Sequence, residues 1–490
     1  MDTVISAFGH IASLQVLIAL LVGSIGGVII GAIPGVGPAV GIAILLPATF
    51  SLEPIVGLTL LLGIYGSSMY GGALPAILIN TPGTAVNAMT TYDGFPMTRR
   101  GEAGRALSLA YSASFFGGVF AIVMLVMLAP VLAAVAPMFG SREIFLAALL
   151  GLVLVVVTHR GQHVISLLLV CFGIFINTIG LEPVRYSKRY TFDQEWLSSG
   201  INLIVVVLGL FALSQAFLLL LERDGAIRPP AVKMGVLNGL REVARRPKVA
   251  TSSSVFGVMM GIIPGVGEFL AQFLSYSFAM KTSKAPEEFG KGSPEGLVAC
   301  EAANNAVPPA AMIPLLALGI PGEALTAMML TVFHVHSVIP GPALFEEQPD
   351  FVLALYICLL LLNVFVLLFL GLSNKVLLKI VQIPSRFIGV VVLTLSFVGV
   401  YSLRNSAVDC LIAAFFGVLG LVLRRLNWPI VPIILGMVLG GIMEAKLRTS
   451  LPRLKEPWDL VNRPIAAIIF SMIVLAIALH VWSLIRARRG

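Results

Sequence analysis

The amino-acid sequence predicts an all-α polytopic membrane protein, on the evidence of its composition, its long uncharged runs and an internal repeat. Mean hydropathy is +1.00, and only 11% of residues are charged, whereas soluble domains average about 25%. Residues Thr3 to Leu52 contain no Asp, Glu, Lys or Arg, although one crossing needs only roughly 20 residues. That run must therefore hold two helical pieces.

The internal repeat carries a helix break in each copy. Gly27 to Gly37 reads G-V-I-I-G-A-I-P-G-V-G, and Gly257 to Gly267 matches it at eight of eleven positions with an offset of 230. Pro lacks an amide donor and Gly permits non-helical backbone, so each copy predicts an interrupted helix. Unpaired backbone groups are costly in hydrocarbon, so such breaks are buried in protein or line a cavity. Paired breaks in two halves of a membrane chain point to a transporter's binding site.

A second break follows the first in each half. In the first half it reads Asn80-Thr81-Pro82-Gly83-Thr84, where we expect Thr84 to cap a following half-helix. In the second half it is Pro321-Gly322. The two breaks are 48 residues apart in the first half and 57 in the second, and the charged loop Lys281 to Gly292 accounts for the surplus.

The uncharged runs predict about 10–14 membrane segments, some of them re-entrant hairpins. The predicted helical pieces are Ser13–Ile33, Pro38–Phe50, Ile144–Thr158, His163–Leu181, Leu197–Leu221, Phe351–Leu372, Arg386–Leu403, Ala407–Leu423, Trp428–Met443 and Pro464–Ile485. The uncharged runs from Pro54 to Tyr92 and from Ala106 to Gly140 hold further segments, separated by an aqueous loop at Asp93 to Pro96.

Charge distribution divides the chain into two repeats. We predict a first transmembrane repeat at residues 1–222, a basic cytoplasmic connecting loop at 223–248, and a second repeat with C-terminal helices and a basic tail at 249–490. The second copy follows a basic loop, whereas the first follows an N-terminus without Lys or Arg. The copies are therefore expected to enter from opposite sides, as inverted repeats, and the basic tail predicts a cytoplasmic C-terminus.

Charge placement, cysteine spacing and the lack of two catalytic motifs argue against several function classes. The net charge of +8 comes from Lys and Arg placed between apolar runs, as in membrane proteins, so a nucleic-acid partner is not expected. The four cysteines have no paired spacing that would indicate disulfides or a metal cluster. H-E-x-x-H and G-x-S-x-G do not occur, so we predict neither an enzyme nor a cofactor. An ion channel or other passive pore remains the alternative.

Substrate is expected at the breaks. These contain no Arg or Lys, so an anion there would be held by backbone amides, Asn side chains, hydroxyl groups and the positive ends of helices. The glycines could instead serve helix packing, and the hydroxyls could do the same. The predicted substrate-binding residues are Gly35, Gly37, Ser67, Tyr70, Asn80, Pro82, Gly83, Thr84, Gly265, Gly267, Pro321, Gly322 and Glu323.

Ion coupling is assigned to a second set of residues, Asn80, Glu301, Asn304 and Asn305. Amide oxygens suit sodium, although these Asn side chains could also join helices. If protons drive transport, Glu301 is the leading carrier and Glu323 the second, because an intramembrane carboxylate is costly and by default functional. The role of Glu268 stays open, and Glu323 would repel an anion unless it is protonated, coordinates a cation or pairs with a basic group of the substrate.

Nine segments resemble a known family. They read G-A-I-P-G-V-G-P, Y-G-S-S-M-Y-G-G, I-L-I-N-T-P-G-T, Y-D-G-F-P-M, G-E-A-G-R-A-L, F-G-K-G-S-P-E-G, E-A-A-N-N-A, L-G-I-P-G and P-G-P-A-L-F. In this order they are similar to the large membrane subunit of the tripartite tricarboxylate transporters. The chain departs from the family pattern at Cys300, at Val307-Pro308-Pro309, and at Glu268 and Glu323, where neutral residues are usual.

The resemblance implies a function and partners. It implies secondary uptake of a carboxylate across the bacterial inner membrane, driven by sodium or protons. The implied partners are a small membrane subunit, a periplasmic substrate-binding protein and membrane lipid, with homo-oligomerisation open. The identity of the carboxylate and the choice between sodium and protons stay open as well.

Overall fold

The computed structural model describes residues 2–159, 161–182, 186–221, 235–265, 267–373, 379 and 383–487, and most of them are helical. The first half contains α1 Asp2–Ile11, α2 Leu14–Ala32, α3 Gly37–Leu45, α4 Pro54–Ile79, α5 Thr90–Arg99, α6 Ala103–Val135, α7 Ser141–Thr158, α8 His163–Thr178, α9 Glu195–Ser198, α10 Leu203–Val207 and α11 Ser214–Leu221. A π-helical segment, Leu208–Leu213, joins α10 to α11. Two short antiparallel strands, β1 Gly180–Leu181 and β2 Lys188–Arg189, pair after α8.

The second half is also helical. It contains α12 Val236–Ala244, α13 Pro247–Ile262, α14 Gly267–Thr282, α15 Pro294–Leu318, α16 Ala324–Val335, α17 Pro342–Glu347, α18 Pro349–Leu372, α19 Ser385–Arg404, α20 Ala407–Arg425, α21 Val431–Ser450 and α22 Pro464–Ala487. Short 3₁₀ turns lie at Pro47–Ser51, Ala85–Asn87, Ala136–Met138, Pro286–Glu288, Leu451–Arg453 and Pro457–Leu460.

The helices confirm a polytopic membrane protein. Among the described residues, nine helices are long and apolar enough to cross a membrane, and three shorter apolar helices accompany them. Together these twelve fall within the predicted number of segments. The span Pro54–Ile79 is almost completely buried, whereas Pro464–Trp482 is mostly exposed. The former therefore lies at the centre of the protein and the latter at its periphery.

The sequence repeat has a structural counterpart at its breaks. The amide of Gly35 donates to the carbonyl of Gly83 at 2.8 Å, and the amide of Gly265 donates to the carbonyl of Gly322 at 2.6 Å. Gly35 and Gly265 both have a φ of +80°, a left-handed conformation that favours glycine. Each half thus joins its two breaks through the same backbone hydrogen bond. The opposite membrane orientation of the two halves remains a prediction.

Close helix packing holds these breaks in place. In the first half α2 packs on α4, and in the second half α13 packs on α15. A Cβ added to Gly27 would lie 2.8 Å from Cβ of Ser67, and one added to Gly257 would lie 2.6 Å from Cβ of Ala306. Only a glycine allows these helices to approach so closely. The repeated glycine therefore allows the equivalent helices to pack closely in both halves, α2 on α4 and α13 on α15.

The peripheral helices pack across the two halves. The π-helical segment of the first half lies against α20 of the second, while α21 of the second half lies against α7 and α8 of the first. The central helix α6 also packs on α15, where Gly117 contacts the backbone of Ala302. The two halves therefore form one interlocked helical body.

The predicted aqueous loop at Asp93 to Pro96 is wrong. These residues lie within α5, and Asp93 is only 1% exposed. Its carboxylate accepts hydrogen bonds from the Tyr276 hydroxyl at 2.9 Å, the Gly292 amide at 2.8 Å and the Ser293 amide at 2.7 Å. A charge that the hydropathy pattern places in water is thus satisfied by groups from the other half.

The connecting segment between the halves is partly helical. Residues 223–234 of the predicted loop lie outside the described residues, and α12 follows them. Glu242 of α12 contacts Arg105 at 2.6 Å and Arg246 at 3.2 Å. Burial alone would raise the pKa of Glu242, but the two guanidinium groups lower it below its usual value. At neutral pH this ion-paired carboxylate ties α12 to α6.

Candidate functional site

The first-half breaks form a neutral, amide-rich site. Helix α3 begins at Gly37, directly after the first break, and its start lies beside the second break. A Cβ added to Gly37 would be 3.8 Å from Cγ2 of Thr84, and one added to Gly35 would be 3.0 Å from Nε2 of Gln215. The start of α3 thus lies beside the Thr84 side chain, and the first break lies beside the Gln215 amide. The backbone amides and the Gln215 amide can donate hydrogen bonds to an anion, whereas the Thr84 hydroxyl donates to Asn87 in this structure.

The expectation that Thr84 caps a half-helix is wrong. Residues Ala85–Asn87 form a single 3₁₀ turn, and the next helix begins only at Thr90. The Thr84 hydroxyl instead donates to Oδ1 of Asn87 at 2.6 Å, while Nδ2 of Asn87 donates to the carbonyl of Met69 at 3.2 Å. These bonds hold the chain against α4, where it cannot continue as a helix. The positive helix end at this site therefore comes from α3.

The second-half breaks carry two carboxylates. Glu268 lies in the first turn of α14 and Glu323 immediately precedes α16, the half-helix predicted after Pro321-Gly322. Their exposed fractions are 7% and 8%. The hydroxyl of Tyr65, from the middle of α4, lies 3.1 Å from Oε1 of Glu268 and also hydrogen bonds to Glu323. One hydroxyl group from the first half thus bridges both breaks of the second half.

Glu301 forms a separate buried cluster. Its side chain is fully buried on α15 and accepts hydrogen bonds from the hydroxyls of Thr90 and Ser114, the latter at 2.9 Å. Nδ2 of Asn305 donates to the backbone carbonyl of Glu301 at 3.4 Å. Asn304 is also fully buried, and both of its amide atoms are without a hydrogen-bond partner among the described residues. Three of the four predicted ion-coupling residues therefore lie on one buried stretch of α15.

A small cavity adjoins Asn305. It measures about 30 Å³, and its polar lining comes from Ser67, Tyr70, Asn305 and Asn363. Tyr70 donates its hydroxyl proton to Asn363, and Ser67 is buried without a hydrogen-bond partner in the described part of the chain. Such a volume holds about one water-sized species. The structure thus brings Ser67, Tyr70 and Asn305 together around one small space.

The remaining predicted residues are distributed around the breaks. Asn80 has a φ of +55° at the end of α4 and is exposed, so its side chain lies outside the buried Glu301 cluster. Pro82 is half-buried, whereas Pro321 is buried. Gly265 packs against Val155 of α7, and Gly267, like Gly37, has a positive φ at the start of its helix.

Five residues of these clusters were not predicted. They are Tyr65, Thr90, Ser114, Gln215 and Gln272. Gln272 follows Glu268 by one helical turn in an otherwise apolar stretch, a spacing that could have indicated it. The others come from distant elements. Among the described residues, no group of three or more His, Cys, Asp or Glu could hold a metal ion.

Comparison with known proteins gives one family match and two relatives. A sequence model of the tripartite tricarboxylate transporter TctA family matches residues 17–435. An uncharacterised 52.8 kDa protein in the TAR-I ttuC' 3' region of Agrobacterium vitis is 34% identical over 455 residues, covering 91% of this chain and 89% of that protein. A second A. vitis protein, in the TAR-II ttuC' 3' region, is 34% identical over 238 residues, covering 48% of this chain and 97% of that protein. No solved structure matches.

Proposed function

The chain belongs to the tripartite tricarboxylate transporter TctA family, and from this premise we propose that it is the translocation subunit of an ion-coupled carboxylate uptake system. The family is one of transporter components, and its description as tripartite implies further subunits. The proposal assigns the chain to the bacterial inner membrane with a cytoplasmic C-terminus. A small membrane subunit and a periplasmic binding protein, which would deliver the substrate, complete the system.

The observation that carries the proposal is the pair of backbone hydrogen bonds between breaks, Gly35 to Gly83 and Gly265 to Gly322. Broken helices inside a membrane protein persist where they are buried or line a substrate path. The two halves interrupt their helices at equivalent places and join the interruptions in the same way. That geometry suits alternating access around a fixed site between the halves better than a passive pore.

We place the substrate carboxylate at the first-half breaks. There the start of α3 and the Gln215 amide offer donors with no acidic side chain among them. The Thr84 hydroxyl would join them by releasing Oδ1 of Asn87, to which it donates in this structure. At the second-half breaks the helix starts already face Glu268 and Glu323. A second anion beside those carboxylates would be repelled. The positive potential of α3 is therefore the one that a carboxylate can use.

Ion coupling is placed at the Glu301 cluster. Glu301 is buried between hydroxyl donors of α5 and α6 while it belongs to α15, so its protonation or ion binding would change contacts between the two halves. The unpartnered amide of Asn304 and the neighbouring Asn305 supply further oxygen atoms for sodium. Either a proton or sodium fits these groups, and the ion dependence of uptake decides between them.

The test is concentrative uptake by the reconstituted complex with its binding protein and a labelled dicarboxylate or tricarboxylate. The wild type should accumulate substrate until the ion gradient is dissipated. Thr84→Val should raise KM roughly tenfold, because the variant keeps the side-chain shape but loses a hydroxyl donor to a charged ligand. Thr81→Val, at an exposed position in the same break, is the matched control and should behave as wild type.

Two outcomes would contradict the proposal. Flux that only equilibrates substrate, and that is unchanged when the ion gradient is removed, would identify a passive pore. Equal KM values for the Thr84 and Thr81 variants would move the carboxylate away from the first-half breaks.

A further inference from the structure

We propose that Tyr65, Glu268, Gln272 and Glu323 form a binding site for a monovalent cation at the second-half breaks. The cation is either free sodium or the protonated amino group of a substrate that also carries a carboxylate. This site is separate from the Glu301 cluster, with which it shares no hydrogen-bonded residue. It deepens the proposed function, on which it rests, by naming a charge that the translocated species must bring.

The geometry places two carboxylates on one hydroxyl. Oε1 of Glu268 and Oε1 of Glu323 both contact the hydroxyl of Tyr65, which has a single proton to donate. Tyr65 is fully buried, so bulk water does not compensate the charge. The Tyr65 hydroxyl can therefore donate a hydrogen bond to only one of the two carboxylates at a time.

In the part of the chain that the structure describes, no basic side chain forms an ion pair with these carboxylates. Among the described residues, the ion pairs of the protein involve other carboxylates, and neither Glu268 nor Glu323 belongs to one of them. Positive potential comes only from the starts of α14 and α16. Each helix start contributes roughly half an elementary charge. Against two ionised carboxylates this leaves a deficit of about one positive charge, which a monovalent cation or a proton would supply.

Gln272 carries a buried amide that lies one helical turn after Glu268. It is fully buried, and neither its amide oxygen nor its amide nitrogen has a hydrogen-bond partner among the described residues. It follows Glu268 by four positions on α14, which places the two side chains on the same helix face about 5–6 Å apart at Cβ. An unpaired buried amide is costly. Its oxygen would be a third ligand for a cation held by the two carboxylates.

The equivalent positions of the first half are neutral. At the offset of 230, Glu268 corresponds to Pro38, and Glu323 corresponds to Thr84, since each directly follows the Gly of its Pro-Gly break. One pair of breaks therefore offers donors to an anion, and the other pair offers acceptors to a cation. The two together suit either an anion that moves with sodium or a single molecule that carries both charges.

The experiment measures cation binding to the purified full-length chain in detergent at constant ionic strength, with ²²Na⁺ as one probe and labelled methylammonium as the other. The double variant Glu268→Gln/Glu323→Gln keeps the side-chain shapes and should weaken binding by roughly tenfold or more. Tyr65→Phe should weaken binding by less than the double variant does, because the Tyr65 hydroxyl is a neutral contact of the site. Glu287→Gln, at an exposed position in the loop after α14, is the control and should bind as wild type.

The two probes separate the sources of the cation. Sodium binding that is lost in the double variant, with methylammonium a poor competitor, identifies a sodium site. Tight methylammonium binding, together with uptake of amino-substituted carboxylates that the double variant loses, identifies the substrate's amino group. Wild-type protein that binds neither probe better than the double variant overturns the proposal. If the same protein still takes up carboxylate against a gradient, the proposed function stands and only the cation site is refuted. If cation binding is intact but uptake is absent, only the proposed function is refuted.

Discussion

Replacing Asp93 tests how the two halves are held together. Its buried carboxylate accepts three hydrogen bonds, from Tyr276 and from the amides of Gly292 and Ser293. Hydrogen bonds to a charged acceptor contribute about 1.5–3 kcal/mol each. Asp93→Ala loses all three and leaves buried donors unpaired, but it also removes the cost of burying the carboxylate. We therefore expect a net loss of about 2–4 kcal/mol in the free energy of unfolding.

The assay is denaturant unfolding of the purified protein in mixed micelles. Asp93→Asn keeps one oxygen acceptor for the amides of Gly292 and Ser293, so its loss in free energy of unfolding should be smaller than that of Asp93→Ala. Glu287→Ala removes an exposed carboxylate nearby and should change stability by less than about 0.5 kcal/mol. If Asp93→Ala unfolds with the same free energy as the Glu287 control, the three hydrogen bonds do not stabilise the contact between the halves.

Two further predictions concern the repeat. A Cβ at Gly83 would overlap the carbonyl oxygen of Gly31, whereas one at Gly322 would lie 3.1 Å from the carbonyl oxygen of Gly261. Gly83→Ala should therefore lower the free energy of unfolding by about 1–3 kcal/mol, and Gly322→Ala should lower it by less. Thermal unfolding in detergent measures the difference, and equal melting temperatures for the two variants would contradict the packing argument. If the halves are inverted, a cysteine introduced at Asp2 should react with an impermeant thiol reagent from the periplasm and one at Arg245 from the cytoplasm, and same-side labelling would refute the inversion.

The breaks could be predicted because their cause is local. Pro34 and Pro264 remove an amide donor, and the adjacent glycines reach a positive φ, so the sequence alone specifies that the helix ends there. The duplicated motif also indicated that the breaks are equivalent, and the matching hydrogen bonds of Gly35 and Gly265 agree with this.

The contacts of Tyr65 with the two carboxylates could not be predicted, because these residues are far apart in the chain. Tyr65 is 203 residues from Glu268 and 258 from Glu323, and no periodicity connects such positions. The missing half-helix after Gly83 has a similar cause, since Asn87 binds the backbone of α4. Asp93 was placed in water because hydropathy registers its charge but not the amides that satisfy it.

A coupling role for Glu301 can be measured by comparing accumulation with exchange of carboxylate in proteoliposomes that contain the complete complex. Glu301→Gln keeps a side chain that fits between Thr90 and Ser114 but can neither carry a proton nor give sodium a charged ligand. We predict that this variant loses ion-driven accumulation of labelled carboxylate while it still exchanges external for internal carboxylate. Ion-driven accumulation by Glu301→Gln at the wild-type level would contradict the account.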